Sequence, residues 1–150
     1  MCLSYGIEPV DKLLADGLHY LTVKHWAEVE TGAFDPDWDA VREAENSERM
    51  RWFTVRIDGE LIGYASVLMV KSLQQKGREY AVIEDLFVDK EHRKIGAALG
   101  LLRFTIRLLK TLNVSSIMVG EPHKKEKRDL GVLYKRLGFR RLETIWEMRT

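Results

Sequence analysis

The chain has 150 residues, 45% hydrophobic and 31% charged, with a net charge of +1. That is the length of one domain, 1–150, with enough apolar material for a core, and no apolar run approaches the ~20 residues of a membrane span. One cysteine, Cys2, excludes an internal disulfide; with no leader-like basic and apolar pattern at the N-terminus, a cytoplasmic protein is expected.

In chain order, Leu3 to Val10 reads as a short strand ended by Pro9. Asp11 to Glu30 reads as one helix, with Leu13, Leu14, Leu18, Leu21 and Trp26 near helical spacing, stopped at Thr31-Gly32. Asp35 is expected to cap a second helix, with Pro36 at its first position and its end near Glu48; its acidic residues read as a solvated face. Arg51–Asp58 and Glu60–Lys71 read as strands, and Asp58-Gly59 between them is a hairpin signal. Tyr80–Val88 is a central strand. Gly96–Leu112 is a helix expected to bury Leu101, Leu102, Thr105, Leu108, Leu109 and Leu112, with Arg103, Arg107 and Lys110 in water. Ser115–Gly120 reads as a buried strand parallel to the central one. Asp129 is expected to cap a last helix ending at Gly138, and Leu142–Arg149 to form a closing strand.

Charge is uneven along this order. Residues 1–50 hold 11 acidic and 4 basic side chains, and residues 93–141 hold 13 basic and 3 acidic. A basic half suits nucleic acid or a polyanionic cofactor. The excess begins at a Gly loop and no nucleic-acid or zinc signature accompanies it, so the cofactor is expected rather than nucleic acid or a metal.

The most informative stretch is Val82-Ile-Glu-Asp-Leu-Phe-Val88 followed by Asp89-Lys-Glu-His-Arg93-Lys-Ile-Gly96-Ala-Ala98. Strand, Gly loop and helix present unpartnered first-turn amides, and the helix dipole, to a phosphate. Gly96 leaves room for a bulky anion, and Arg93 and Lys94 add positive charge beside it. Two acids, Glu84 and Asp85, sit inside the apolar strand. Downstream lies Leu133-Tyr134-Lys-Arg-Leu-Gly138-Phe139.

This combination resembles the GNAT N-acetyltransferase superfamily, over about Ile57 to Phe139. Glu-Asp-Leu-Phe-Val is most like the spermidine/spermine N-acetyltransferase branch. Phe34–Trp38, Trp52–Tyr64 and Asp129-Leu-Gly are more like phage-encoded acetyltransferase-like proteins. The resemblance implies an α/β (α+β) fold: a mixed, mostly antiparallel sheet of about six strands flanked by about four helices. It implies acetyl-CoA as cosubstrate, with no metal, and a primary amine as acceptor: a small amine, a lysine or an N-terminus. Leu86, Phe87 and Val88 are then expected along the acetyl and pantetheine arm, and Arg93, Lys94, Ile95, Gly96, Ala97 and Ala98 along the pyrophosphate. Glu84 is the expected base and Tyr134 the expected acid. Period-two alternation sets Glu84, Leu86 and Val88 on one strand face, and Asp85 is expected to be structural. Members often carry Asn seven residues before the tyrosine and Ala four before; here these are Lys127 and Leu130, and Lys127 is expected at a CoA phosphate instead. Only 11 residues follow Phe139, enough for one strand, so a homodimer completing the sheet edge is a further expectation. The competing classes are a GNAT-fold binding or assembly module without turnover and, more remotely, nucleic-acid binding through Lys124, Lys125, Lys127 and Arg128.

Overall fold

The computed structural model describes residues 1–30, 32–121 and 130–150. They divide into two compact units, 1–120 and 121–150. Lys127, Asp129 and the basic run Lys124, Lys125 and Arg128 lie outside the described residues.

The first unit is a five-stranded sheet in the order β1 (Leu3–Ile7), β2 (Met50–Ile57), β3 (Glu60–Lys71), β4 (Glu79–Val88), β5 (Ile117–Val119). The first three pairings are antiparallel and β4–β5 is parallel. The β2–β3 hairpin turns at Asp58 and Gly59, whose φ of 48° and 87° are the two positive values a tight two-residue turn requires. The strands alternate poorly because both sheet faces are covered. Trp52, Tyr64 and Phe87 pack on Val10, Leu13, Leu18 and Leu21 from α1 (Val10–Ala15) and α2 (Leu18–Val29). On the opposite face α4 (Ala97–Thr111) buries Ala97, Leu101, Leu102, Thr105 and Leu109. Each buried leucine there contributes about 1.5–3 kcal/mol over leaving it in water. Gly100 lets α4 approach β1, since a Cβ would overlap the Tyr5 hydroxyl.

Four expectations are corrected. The helix read as Asp11–Glu30 is two helices, because Asp16 and Gly17 interrupt it and Gly17 adopts φ 102°. The helix before β2 is α3 (Trp38–Asn46), and its cap is Asp37, whose side chain accepts from Ala40 N at 2.9 Å, not Asp35. Leu112 is not buried; it lies just past the end of α4 and is 40% exposed. The closing strand expected at Leu142–Arg149 is absent: residues 141–150 form no strand, and Leu142, Ile145, Trp146 and Met148 are exposed, while the five strands observed are close to the expected six.

The second unit contains α5 (Leu130–Arg136), which buries Tyr134. Gly138 at φ 94° closes it, where Phe139 N donates to Tyr134 O at 3.0 Å.

Candidate active site

β4 carries the first half of the site. It pairs with β5 only at Ala81, Val82 and Ile83. Its register against β3 slips at the next residue: Ile83 faces Val67, Asp85 faces Ser66, and Glu84 has no opposite number. Glu84 is the extra residue of a β-bulge, which bends a strand and re-aims its side chains. Simple alternation therefore does not run through Glu84, and the predicted shared face of Glu84, Leu86 and Val88 is corrected at that point. From Glu84 to Val88 the strand is paired to β3 alone among the described residues of this unit.

The side chains separate accordingly. Glu84 is exposed; Asp85 and Leu86 are half-buried; Phe87 and Val88 are buried. Ser66 Oγ donates to Asp85 Oδ2 at 2.9 Å. Tyr64, 2% exposed, shares its hydroxyl with His25 Nδ1 at 2.7 Å, and the His25 ring stacks on Phe87 at 4.9 Å. Burial, helped by the nearby Asp85 charge, pushes the Tyr64 hydroxyl far above its usual range, so it stays protonated.

After β4 the chain makes a 3₁₀ turn, Lys90–Ile95, and enters α4 through Gly96. Gly96 is exposed at φ 78°, with nothing within 4 Å of where a Cβ would stand. Gly96 at the N-cap has no side chain to cap the first turn of α4, whose amides have no acceptor within the helix. Lys94 is exposed beside them, Ile95 and Ala98 are half-buried and Ala97 is buried. Arg93 is not an open loop residue. Its Nε donates to Val88 O at 2.8 Å, its Nη2 to both Glu28 oxygens at 2.7 and 2.6 Å, and its guanidinium lies 5.4 Å from the Phe87 ring centre. A second pair, Lys24 Nζ to Asp89 Oδ2 at 2.9 Å, ties the same helix to the same turn. The sequence offered no local sign of these contacts, since each pair is 65 residues apart.

Tyr134, in the second unit, is 8% exposed, with the Phe139 ring 5.8 Å away. Burial first, and the Glu121 charge second, push its hydroxyl up to about 12. It therefore holds its proton at neutral pH.

The bulged, half-paired strand, the open glycine turn and the uncapped helix start together suit a thioester arm ending in phosphates. A family profile described as the Acetyltransferase (GNAT) family matches residues 18–139. The chain belongs to that family. GNAT enzymes are N-acetyltransferases that use acetyl-CoA as cosubstrate. Among curated proteins no sequence relative matches. Solved structures share the fold. An aminoglycoside acetyltransferase from an uncultured soil metagenomic sample is 21% identical with TM-score 0.75, over 100% of this chain and 99% of its own. The ribosomal-protein-alanine N-acetyltransferase of Brucella melitensis biovar Abortus 2308 is 15% identical with TM-score 0.72, over 100% of both chains. AAC(6')-Iy, solved with a CoA-linked bisubstrate analogue, is 17% identical with TM-score 0.70, over 100% of this chain and 99% of its own. Among the described residues no group of acids, histidines or cysteines could hold a metal ion, and no helix is long and apolar enough to cross a membrane.

Proposed function

We propose that the protein transfers an acetyl group from acetyl-CoA to a primary amine, using one domain made of residues 1–150. The carrying observation is the bulge at Glu84, where β4 leaves β5 and runs half-paired toward the Gly96 turn. The residues suit the cosubstrate. The strand backbone from Leu86 to Val88 offers hydrogen bonds to an extended pantetheine arm. The α4 amides, Lys94 and Arg93 offer donors and charge to the pyrophosphate, and the missing Gly96 side chain leaves room for it.

Acetyl-CoA supplies the activated thioester. The amine nitrogen attacks the carbonyl carbon, the carbon–sulfur bond breaks and CoA leaves as a thiol. An alkylammonium with a pKa near ~10.4 is neutral in only about one molecule in a thousand at pH 7. Glu84, exposed at the bulge, accepts the amine's proton directly or through water. Tyr134 donates its proton to the departing sulfur; its raised pKa keeps that proton available at neutral pH. The acceptor is a small amine, a lysine or an N-terminus. The reading includes a cytoplasmic setting and a homodimer in which a second copy completes a sheet edge.

Tyr134→Phe keeps the ring and removes the proton. Turnover should fall roughly 10- to 1000-fold while acetyl-CoA still binds. Glu84→Gln should fall similarly, and its deficit should shrink as pH rises and more amine is neutral. Thiol release measured with a panel of amines checks both. Unchanged turnover in Tyr134→Phe would return that residue to the core, and wild-type binding without thiol release from any amine would favour a binding module.

A further inference from the structure

The first strand leaves the sheet edge before β2 does. β1 ends opposite Phe53, and the last bond between the two strands runs from Glu8 N to Trp52 O at 3.1 Å. Pro9 then turns the chain into α1. In an antiparallel ladder the main-chain groups of every second residue point the same way. Those of Met50 therefore point, like those of Trp52, to the side where β1 would have continued. No described residue pairs with Met50 on that side. Val10 instead gives its N–H to the Glu45 carboxylate of α3, at 3.2 and 3.0 Å.

This notch is a cavity of about 240 Å³, two strands away from β4. Pro9, Met50 and Trp52 give it an apolar wall, and Glu45, Glu48 and Arg51 give it charge. None of these three charged groups has an ion partner among the described residues. A fourth, Glu8, is already held by Lys12 and Arg56. Two buried N–H groups lining the cavity, Arg51 Nε and Trp52 Nε1, have no acceptor. Both groups can only donate, and buried donors are almost always paired. Consecutive strand residues point to opposite faces, so a cavity lined by both lies at the open edge of β2 and not within one face.

We propose that this notch binds a free α-amino acid with an apolar side chain. The inference goes beyond acetyl transfer and does not depend on it. The ligand's carboxylate accepts from Arg51, whose planar fork suits a carboxylate. Its ammonium is held by Glu45 and Glu48. The apolar side chain packs on Pro9, Met50 and Trp52, and the Met50 main chain offers one more donor and one more acceptor. Cavities for drug-sized ligands run from roughly 300 to 1,000 Å³, so the smaller notch suits a molecule of about one residue. Opposite charges on two sides of an apolar wall match a zwitterion and disfavour a molecule with only one of its charges.

NMR titration of the whole chain tests this with L-leucine, L-leucinamide and 4-methylpentanoate as probes. Leucinamide lacks the carboxylate and 4-methylpentanoate lacks the ammonium. L-leucine at millimolar concentration should move the amides of Met50 and Arg51 and the Trp52 indole N–H. Each of the other probes should bind roughly 10-fold more weakly or worse, the scale of one lost charged hydrogen bond. Arg51→Gln should weaken leucine by a similar factor, and so should Glu48→Gln, which changes an exposed residue and keeps the test available if Arg51→Gln does not fold. No shift with leucine, or shifts confined to other residues, overturns the site. Equal binding of leucinamide or 4-methylpentanoate overturns the zwitterion assignment. Undiminished leucine binding in the folded variants overturns the roles given to these side chains.

Discussion

The two halves of β4 are five residues each and have opposite duties. Glu79–Ile83 lies against β3 on one side and, at Ala81–Ile83, against β5 on the other. Its Ala81 and Ile83 are buried core. Among the described residues of this unit, Asp85–Val88 keeps only β3, and Glu84 before it is a solvent-exposed bulge. One unopposed residue divides the half-strand that is paired on both sides from the half paired only to β3 among the described residues of this unit. Burial continues past the bulge, at Phe87 and Val88, so the halves differ in backbone pairing rather than in packing; under the proposed function the chemistry belongs to the second half.

The largest expected effect breaks the ligand half without touching the structural half. Gly96→Glu places a side chain and a negative charge where the phosphates are expected. CoA affinity should fall by at least about 100-fold, some 2.7 kcal/mol. Gly96→Ala is the control for the φ of 78°: it shares the backbone cost of ~1–2 kcal/mol in stability without the charge. Calorimetry on both variants checks this. Next, Ile83→Ala empties a 3%-exposed site in the paired half. Urea unfolding should show a loss of about 2–5 kcal/mol, with CoA affinity of the folded protein unchanged within about twofold. The smallest effect is at the neighbouring residue: Glu84→Gln should change unfolding free energy by less than ~0.5 kcal/mol, because an exposed side chain has little to lose. A Glu84→Gln variant as unstable as Ile83→Ala would erase the boundary between the halves.

Much of this was legible in the sequence because it is local. The Asp58-Gly59 turn, the strand to Val88, the helix after Gly96 and the parallel return to β5 each follow from short-range chemistry. The GNAT-like residues pointed to the family that the profile match on residues 18–139 established. What was not legible depends on residues far apart. The bulge at Glu84 exists only in the register against Val67 and Ser66. The Arg93–Glu28 and Lys24–Asp89 clasps, and the His25–Tyr64 bond beside Phe87, join α2 to residues 39 to 65 positions away. Leu142–Arg149 alternates like a strand, but alternation alone supplies no neighbour to pair with, and the segment forms no strand.

Hydrogen exchange with and without CoA tests the division of β4 most directly. The account predicts that CoA slows the backbone amides of 84–88 and of 96–99, while Ala81–Ile83, already paired on both sides, changes little. If CoA binds and the slowed amides lie elsewhere, with 84–99 unaffected, the cosubstrate does not use this strand and the account is wrong.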